Sequence, residues 1–235
     1  MGMCGRLLAM LAVLAVGLPA SAQTPAQPSP AAAPGPAYVV TFFESGPPSA
    51  AKTAAALRRL AAASLKEQGV VAYLVLRERG RPGRFAVLET WRDKAALDAH
   101  DNAAKALDDK LRALLISPPD RRACVGLDIA APVSAAPNNS TILVLTHVDV
   151  VPTAKDEAIG LVKELAADSR KDTGVARFDV LQQGNRANHM FLVEAWRDRT
   201  AHDNHVMAEH TIAFRTKLLP KQGALYDERL YEAIR

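Results

Sequence analysis

A chain of 235 residues carrying a net charge of +4, 49% hydrophobic and 23% charged, is long enough for two small domains. Its basic excess is too slight, and too scattered, for nucleic acid to be the main partner. Two cysteines, Cys4 and Cys124, exclude a disulfide-stapled scaffold.

The chain opens with Arg6 and an apolar run over 7–18, then Pro19-Ala20-Ser21-Ala22 before Gln23. That is the layout of a secretory leader cut after Ala22, shorter than the ~20 apolar residues a spanning helix needs. A periplasmic or secreted protein is expected, with no stable membrane insertion after cleavage and a net charge of about +3. Cys4 would leave with the leader, and Cys124, between Ala123 and Val125, reads as a small buried hydrophobe. Residues 23–36 are proline- and alanine-rich without charge, a tether rather than structure; 131–140 read as a second linker.

Between and after these linkers the sequence repeats itself. Tyr38 against Leu143 starts an ungapped register of 105 that pairs Leu60/Leu165, Gly69/Gly174, Leu76/Leu181, Glu89/Glu194, Trp91/Trp196, Asp93/Asp198 and His100/His205. Both tryptophans of the chain fall in this frame. A period this long exceeds the 20–50 residues of solenoid repeats, so it denotes tandem domains, 37–130 and 141–235.

Each copy predicts the same elements. Residues 38–43 and 142–148 are β-branched or apolar runs stopped by proline-containing loops. Helices over 49–66 and 153–171 follow, with Leu57, Leu60 and Leu65, or Ile159, Val162 and Leu165, at helical spacing, and Gly69 or Gly174 ends them. Strands over 70–77 and 85–91, or 175–182 and 190–196, are joined by glycine-containing turns. Asp93 and Asp198 stand where N-caps are wanted, opening the helical stretches that run to Leu115 and Leu219; strands over 123–129 and 224–231 close the copies. The order βαββαβ is ferredoxin-like, and the fold class is α+β. Val87-Leu88 and Leu192-Val193 make the third strand of each copy apolar on both faces. Helices cover one face, so the other meets a second sheet, which the other copy supplies.

The segment Glu194, Trp196, His205, His210 and Phe214, with Gly174-Val175 before it, resembles the antibiotic biosynthesis monooxygenase family, especially its small quinol monooxygenase-type members. The resemblance covers both copies and is stronger in the second. It implies a dimeric α/β barrel, here closed within one chain as a pseudo-dimer, with further homodimerisation left open. It also implies oxygenases that use no metal, flavin or nicotinamide on electron-rich quinols or polyketide-type aromatics, so the expected partners are a small aromatic substrate and dioxygen. Relatives that degrade haem use a histidine further along, where this chain has Arg215-Thr216-Lys217 and Lys110-Leu111-Arg112.

Such chemistry needs a base, a dry aromatic pocket and donors for a developing oxyanion. His205 is the candidate base, His210 a relay, Trp196 a pocket wall and Glu194 their acidic neighbour. His147, Arg177, Phe178, Asp179 and Phe214, with His100 and Trp91 from the first copy, are the candidate pocket residues. His210 and His147 correspond to Lys105 and Phe42, which makes the second copy the expected active one. The rival reading is a non-catalytic ligand-binding or stress-response protein whose imidazoles are tied to carboxylates, with Glu89 and Glu194 the expected partners; a haem binder is a third. No metal site is expected: His202, His205 and Glu209 lack the spacing of the His-Glu-x-x-His motif.

Overall fold

The computed structural model describes residues 35–103, 109–130 and 137–234, so the leader, most of the tether and most of the second linker lie outside the described residues. The first copy contributes β1 (Ala37–Glu44), α1 (Ala50–Ser64), β2 (Val70–Glu78), β3 (Arg84–Trp91), α2 (Lys94–Ala103), α3 (Asp109–Arg112) and β4 (Asp120–Asp128). The second contributes β5 (Ile142–Asp149), α4 (Lys155–Ser169), β6 (Val175–Gln183), β7 (His189–Trp196), α5 (Arg199–Val206), α6 (Glu209–Leu218) and β8 (Asp227–Ala233). Single 3-10 turns, Pro47–Ser49 and Pro152–Ala154, lead into α1 and α4; each opens on a proline, which loses nothing in a first helical turn.

All eight strands form one closed barrel in the order β1-β3-β2-β8-β5-β7-β6-β4, with β4 returning to β1. Each half keeps the ferredoxin-like order of its own four strands, β4-β1-β3-β2 and β8-β5-β7-β6. The halves then join edge to edge, β2 with β8 through Leu76↔Ala233 to Glu78↔Tyr231, and β4 with β6 through Cys124↔Gln183 to Asp128↔Val180. Closure leaves neither half with a free sheet edge. Side chains cross both seams: Arg77 donates to Glu232, and Arg170, just after α4, donates to Asp128 at 2.8 Å.

Strand alternation sorts the apolar residues into three cores. Val39, Phe43, Tyr73, Val75, Phe85, Val87 and Trp91 face α1 and α2, and Val144, Phe178, Val180, Met190, Leu192 and Trp196 face α4 and α6. The third core fills the barrel with Val40, Leu76, Leu88, Leu145, Phe191 and Tyr231 from both halves, as expected of an eight-stranded barrel just wide enough for side chains. Cys124 lies in this interior, where burial pushes its thiol up to about 12.

The helical stretch expected after β7 is two helices. α5 ends at Val206, Ala208 turns extended (φ −65°, ψ 145°), and α6 starts at Glu209. No glycine or proline marks the break. Its effect is to set His205 and His210 on separate helices. Among the described residues no helix is long and apolar enough to cross a membrane.

Candidate functional site

Two local devices hold α5 over the sheet. Asp198 caps it by accepting the Ala201 amide at 2.8 Å, as Asp93 does for Ala96 at 2.8 Å in the first half. Gly174 adopts φ +89°, and a Cβ there would sit 2.6 Å from that of Ala201; Gly69 (φ +90°) stands in the same relation to Ala96. Only glycine permits both the positive φ and the close approach of strand and helix.

This clamp seats His205 against Trp196. Their rings stack at 4.4 Å between centroids and 25°, with Phe178 edge-on to the imidazole at 5.7 Å. His205 Nδ1 lies 2.8 Å from Asp172 Oδ2 and 3.4 Å from Thr211 Oγ1, while Nε2 lies 4.0 Å from Glu194 Oε2. Trp196 Nε1 donates to that same Glu194 oxygen at 2.9 Å. His210 Nε2 stands 3.2 Å from Asp172 Oδ2 but is not aligned for a hydrogen bond, and it has no hydrogen-bond partner.

Burial governs the electrostatics. Glu194 is pushed up to about 8, mainly by desolvation and further by Glu228, against the opposing Trp196 hydrogen bond and Arg215. His205 is pushed down by desolvation, with Asp172 acting against it. At neutral pH the arrangement is therefore a neutral imidazole beside a protonated carboxyl. An Nδ1–H donated to Asp172 leaves Nε2 as the basic nitrogen, the tautomer an orienting carboxylate selects.

The first half repeats the frame. Trp91 Nε1 donates to Glu89 Oε2 at 3.0 Å, His100 lies tilted over Trp91 at 4.6 Å, and His100 Nδ1 lies 2.9 Å from Glu67 Oε2. Glu67 and Asp172 are the residues the sequence reading missed. They share the 105-residue register, immediately after the matched Lys66/Lys171, and that coincidence of two acids was the available signal. The histidines hydrogen-bond these acids through Nδ1, while the expected partners Glu89 and Glu194 stand farther off, 3.7 and 4.0 Å from Nε2, each accepting a tryptophan indole N–H.

The structure divides the remaining candidates between two faces of the sheet. Phe178 and Phe214 share the helix side with His205, although the ring next to Phe214 is Tyr226 at 6.2 Å. His147, Arg177 and Asp179 project to the barrel side, so the expected single chamber is corrected to two separate sites. Arg177 Nε donates to Asp179 Oδ2 at 2.6 Å, and Asp179 Oδ1 accepts the Ala130 amide at 2.8 Å, which ties this pair into the β4–β6 seam. His202, not among those candidates, stands edge-on to Trp196 at 6.5 Å on the helix side; its nearest acids are Asp203 and Glu228. A cleft of about 210 Å³ opens beside Phe42, Glu78, Arg229 and Tyr231 and contains no member of the His205 cluster.

His147 packs on Phe191 at 5.0 Å and meets His189 Nδ1 at 3.1 Å. Desolvation, with Arg122 and His189 adding to it, pushes it down to about 4. The native state resists a proton that the unfolded chain takes up near 6.5, so this contribution is complete above pH 6.5 and is lost as pH falls toward 4. His147→Phe, the residue found at position 42, is expected to flatten that acid limb by ~2–3 kcal/mol in thermal unfolding between pH 7 and 4.5. An unchanged acid limb would refute the assignment.

The family model described as Antibiotic biosynthesis monooxygenase matches residues 36–108 and 141–217, more than half of the chain and both copies. A protein from Fusobacterium nucleatum, named provisionally as a monooxygenase, superimposes with a TM-score of 0.77 at 17% identity, over 86% of this chain and 94% of that one. A provisionally named monooxygenase from Lactobacillus acidophilus gives 0.67 at 14% identity, over 85% and 94%. An anthrone oxidase-like protein gives 0.65 at 14% identity, over 85% and 92%. At these identities the likeness establishes the fold. No curated protein matches the chain. With both copies matched and the eight-stranded barrel in place, the chain belongs to the antibiotic biosynthesis monooxygenase family.

Proposed function

We propose that the protein is an exported oxygenase acting without metal, flavin or nicotinamide on a quinol- or anthrone-type aromatic, with the second half carrying the reaction. The carrying observation is the Asp172–His205 pair beneath Trp196, buried on the helix side of the sheet. His205 Nε2 takes a proton from the substrate, whose electron-rich anion then reduces dioxygen. For an anthrone-type CH2 carbon, one oxygen atom becomes the carbonyl, and the two hydrogens leave with the other as water. Trp196 supplies an aromatic wall, and Glu194, protonated below about pH 8, supplies a neutral donor beside the ring. Asp172 and His210, whose side chains are each 22% exposed, border the imidazole on its Nδ1 side.

A second reading has support of its own. His205 and His100 are both tied to carboxylates, the outcome expected of a binding module that holds an aromatic ligand without turning it over. Oxygen uptake by chelator-treated protein over a panel of small quinols and anthrones decides between them. The enzyme reading expects uptake that falls ~10²–10⁴-fold in His205→Ala, the range a general base contributes, and by less in Asp172→Asn. Ligand binding with uptake at the buffer rate for every compound would leave the binding module.

A further inference from the structure

We propose that the second half also contains a binding site for a single divalent transition-metal ion, held by Asp172 Oδ2, His205 Nδ1 and His210 Nε2. These three donor atoms lie within 4.8 Å of one another, and Asp172 Oδ2 stands 2.8 Å from one imidazole nitrogen and 3.2 Å from the other. Donors bound at ~2.0–2.1 Å in a tetrahedron sit ~3.3–3.4 Å apart, so small side-chain rotations bring the set to ligating geometry. Two imidazoles and one carboxylate suit zinc, cobalt, nickel or ferrous iron; calcium and magnesium prefer oxygen cages.

Three features give the cluster the form of a site. His210 Nε2 is a buried nitrogen with no hydrogen-bond partner, facing a carboxylate it does not bond. The donors come from three elements, and the break between α5 and α6 places the two imidazoles around one oxygen. The first half keeps the acid–histidine pair, Glu67 with His100, but its sequence has Lys105 in the register of His210. The pair is therefore what the fold repeats, and the third donor is an addition to the second half. Three protein ligands leave a fourth position to water or a small ligand.

The site does not depend on the reading of His205 given above, and one His205 ring cannot serve both at once. Metal at Nδ1 places the ring's remaining proton on Nε2, so the loaded form cannot use Nε2 as the base. Oxygen uptake is therefore tested on metal-free protein, and metal binding on its own readouts. Tag-free, chelator-treated protein is titrated with Zn2+ by calorimetry and with Co2+ by visible absorption. One equivalent per chain, four- or five-coordinate cobalt bands and a raised melting temperature with Zn2+ are expected. His210→Lys, which installs the side chain of the first half, and Asp172→Asn are both expected to fold and to lose the isotherm and the cobalt bands. Absence of stoichiometric binding to the parent protein, or binding that persists in both variants, overturns the proposal.

Discussion

Glu194→Gln is expected to change stability by less than ~1 kcal/mol at pH 4.5 and to raise it by about 3–5 kcal/mol at pH 8.5. The carboxyl is buried and pushed up to about 8, chiefly by desolvation. The native state thus keeps a proton that the unfolded chain releases near 4.5. A group raised in this way contributes stability that is complete below the unfolded value and drains away as pH rises through the folded one, here between about 4.5 and 8. Glutamine retains an oxygen for the Trp196 indole, which donates at 2.9 Å, and has no proton to lose. Urea unfolding of metal-free protein across this range supplies the two profiles. If they run parallel, Glu194 is ionised in the native state and is not the neutral donor beside His205.

Trp91→Ala and Trp196→Ala are each expected to cost about 3–5 kcal/mol, the range for emptying a buried aromatic site. Both indoles are fully buried, both donate to a glutamate two residues earlier, and both pack against an imidazole. Stability therefore treats the two halves alike. Activity is expected not to. Trp196→Phe lowers oxygen uptake because it alters the wall beneath His205, and Trp91→Phe, in the half whose sequence lacks the second histidine, leaves uptake at the parental rate. Equal losses from the two Phe variants would refute the assignment of the reaction to the second half, and equal urea midpoints for the parent and the Ala variants would contradict the packing.

The duplication explains why so much of the fold was legible. A constant offset of 105 lets each copy check the other, so the order βαββαβ and the caps at Asp93 and Asp198 were each read twice. Apolar residues on both faces of β3 and β7 required a second sheet, and the barrel interior is that requirement met. The same two-faced burial hid the division of the site. Period-two alternation shows which residues of one strand share a face, but the faces of a strand buried on both sides carry no polarity to tell barrel from helix. His147 and His205 consequently looked like neighbours.

By itself the sequence determined two copies, their element order, the tryptophan–glutamate–histidine frame and the need for a second sheet, because these rest on periodicity and local hydrogen-bonding chemistry. The closed barrel was implied by the family resemblance. Tertiary structure alone decided the β2–β8 and β4–β6 seams, the break before Glu209, and the acids that hold the histidines. Glu67 and Asp172 follow a helix in polar stretches and look like ordinary solvated acids. They become partners of His100 and His205 only when Gly69 and Gly174 bring strand and helix together, a contact between residues 33 positions apart that no local pattern encodes.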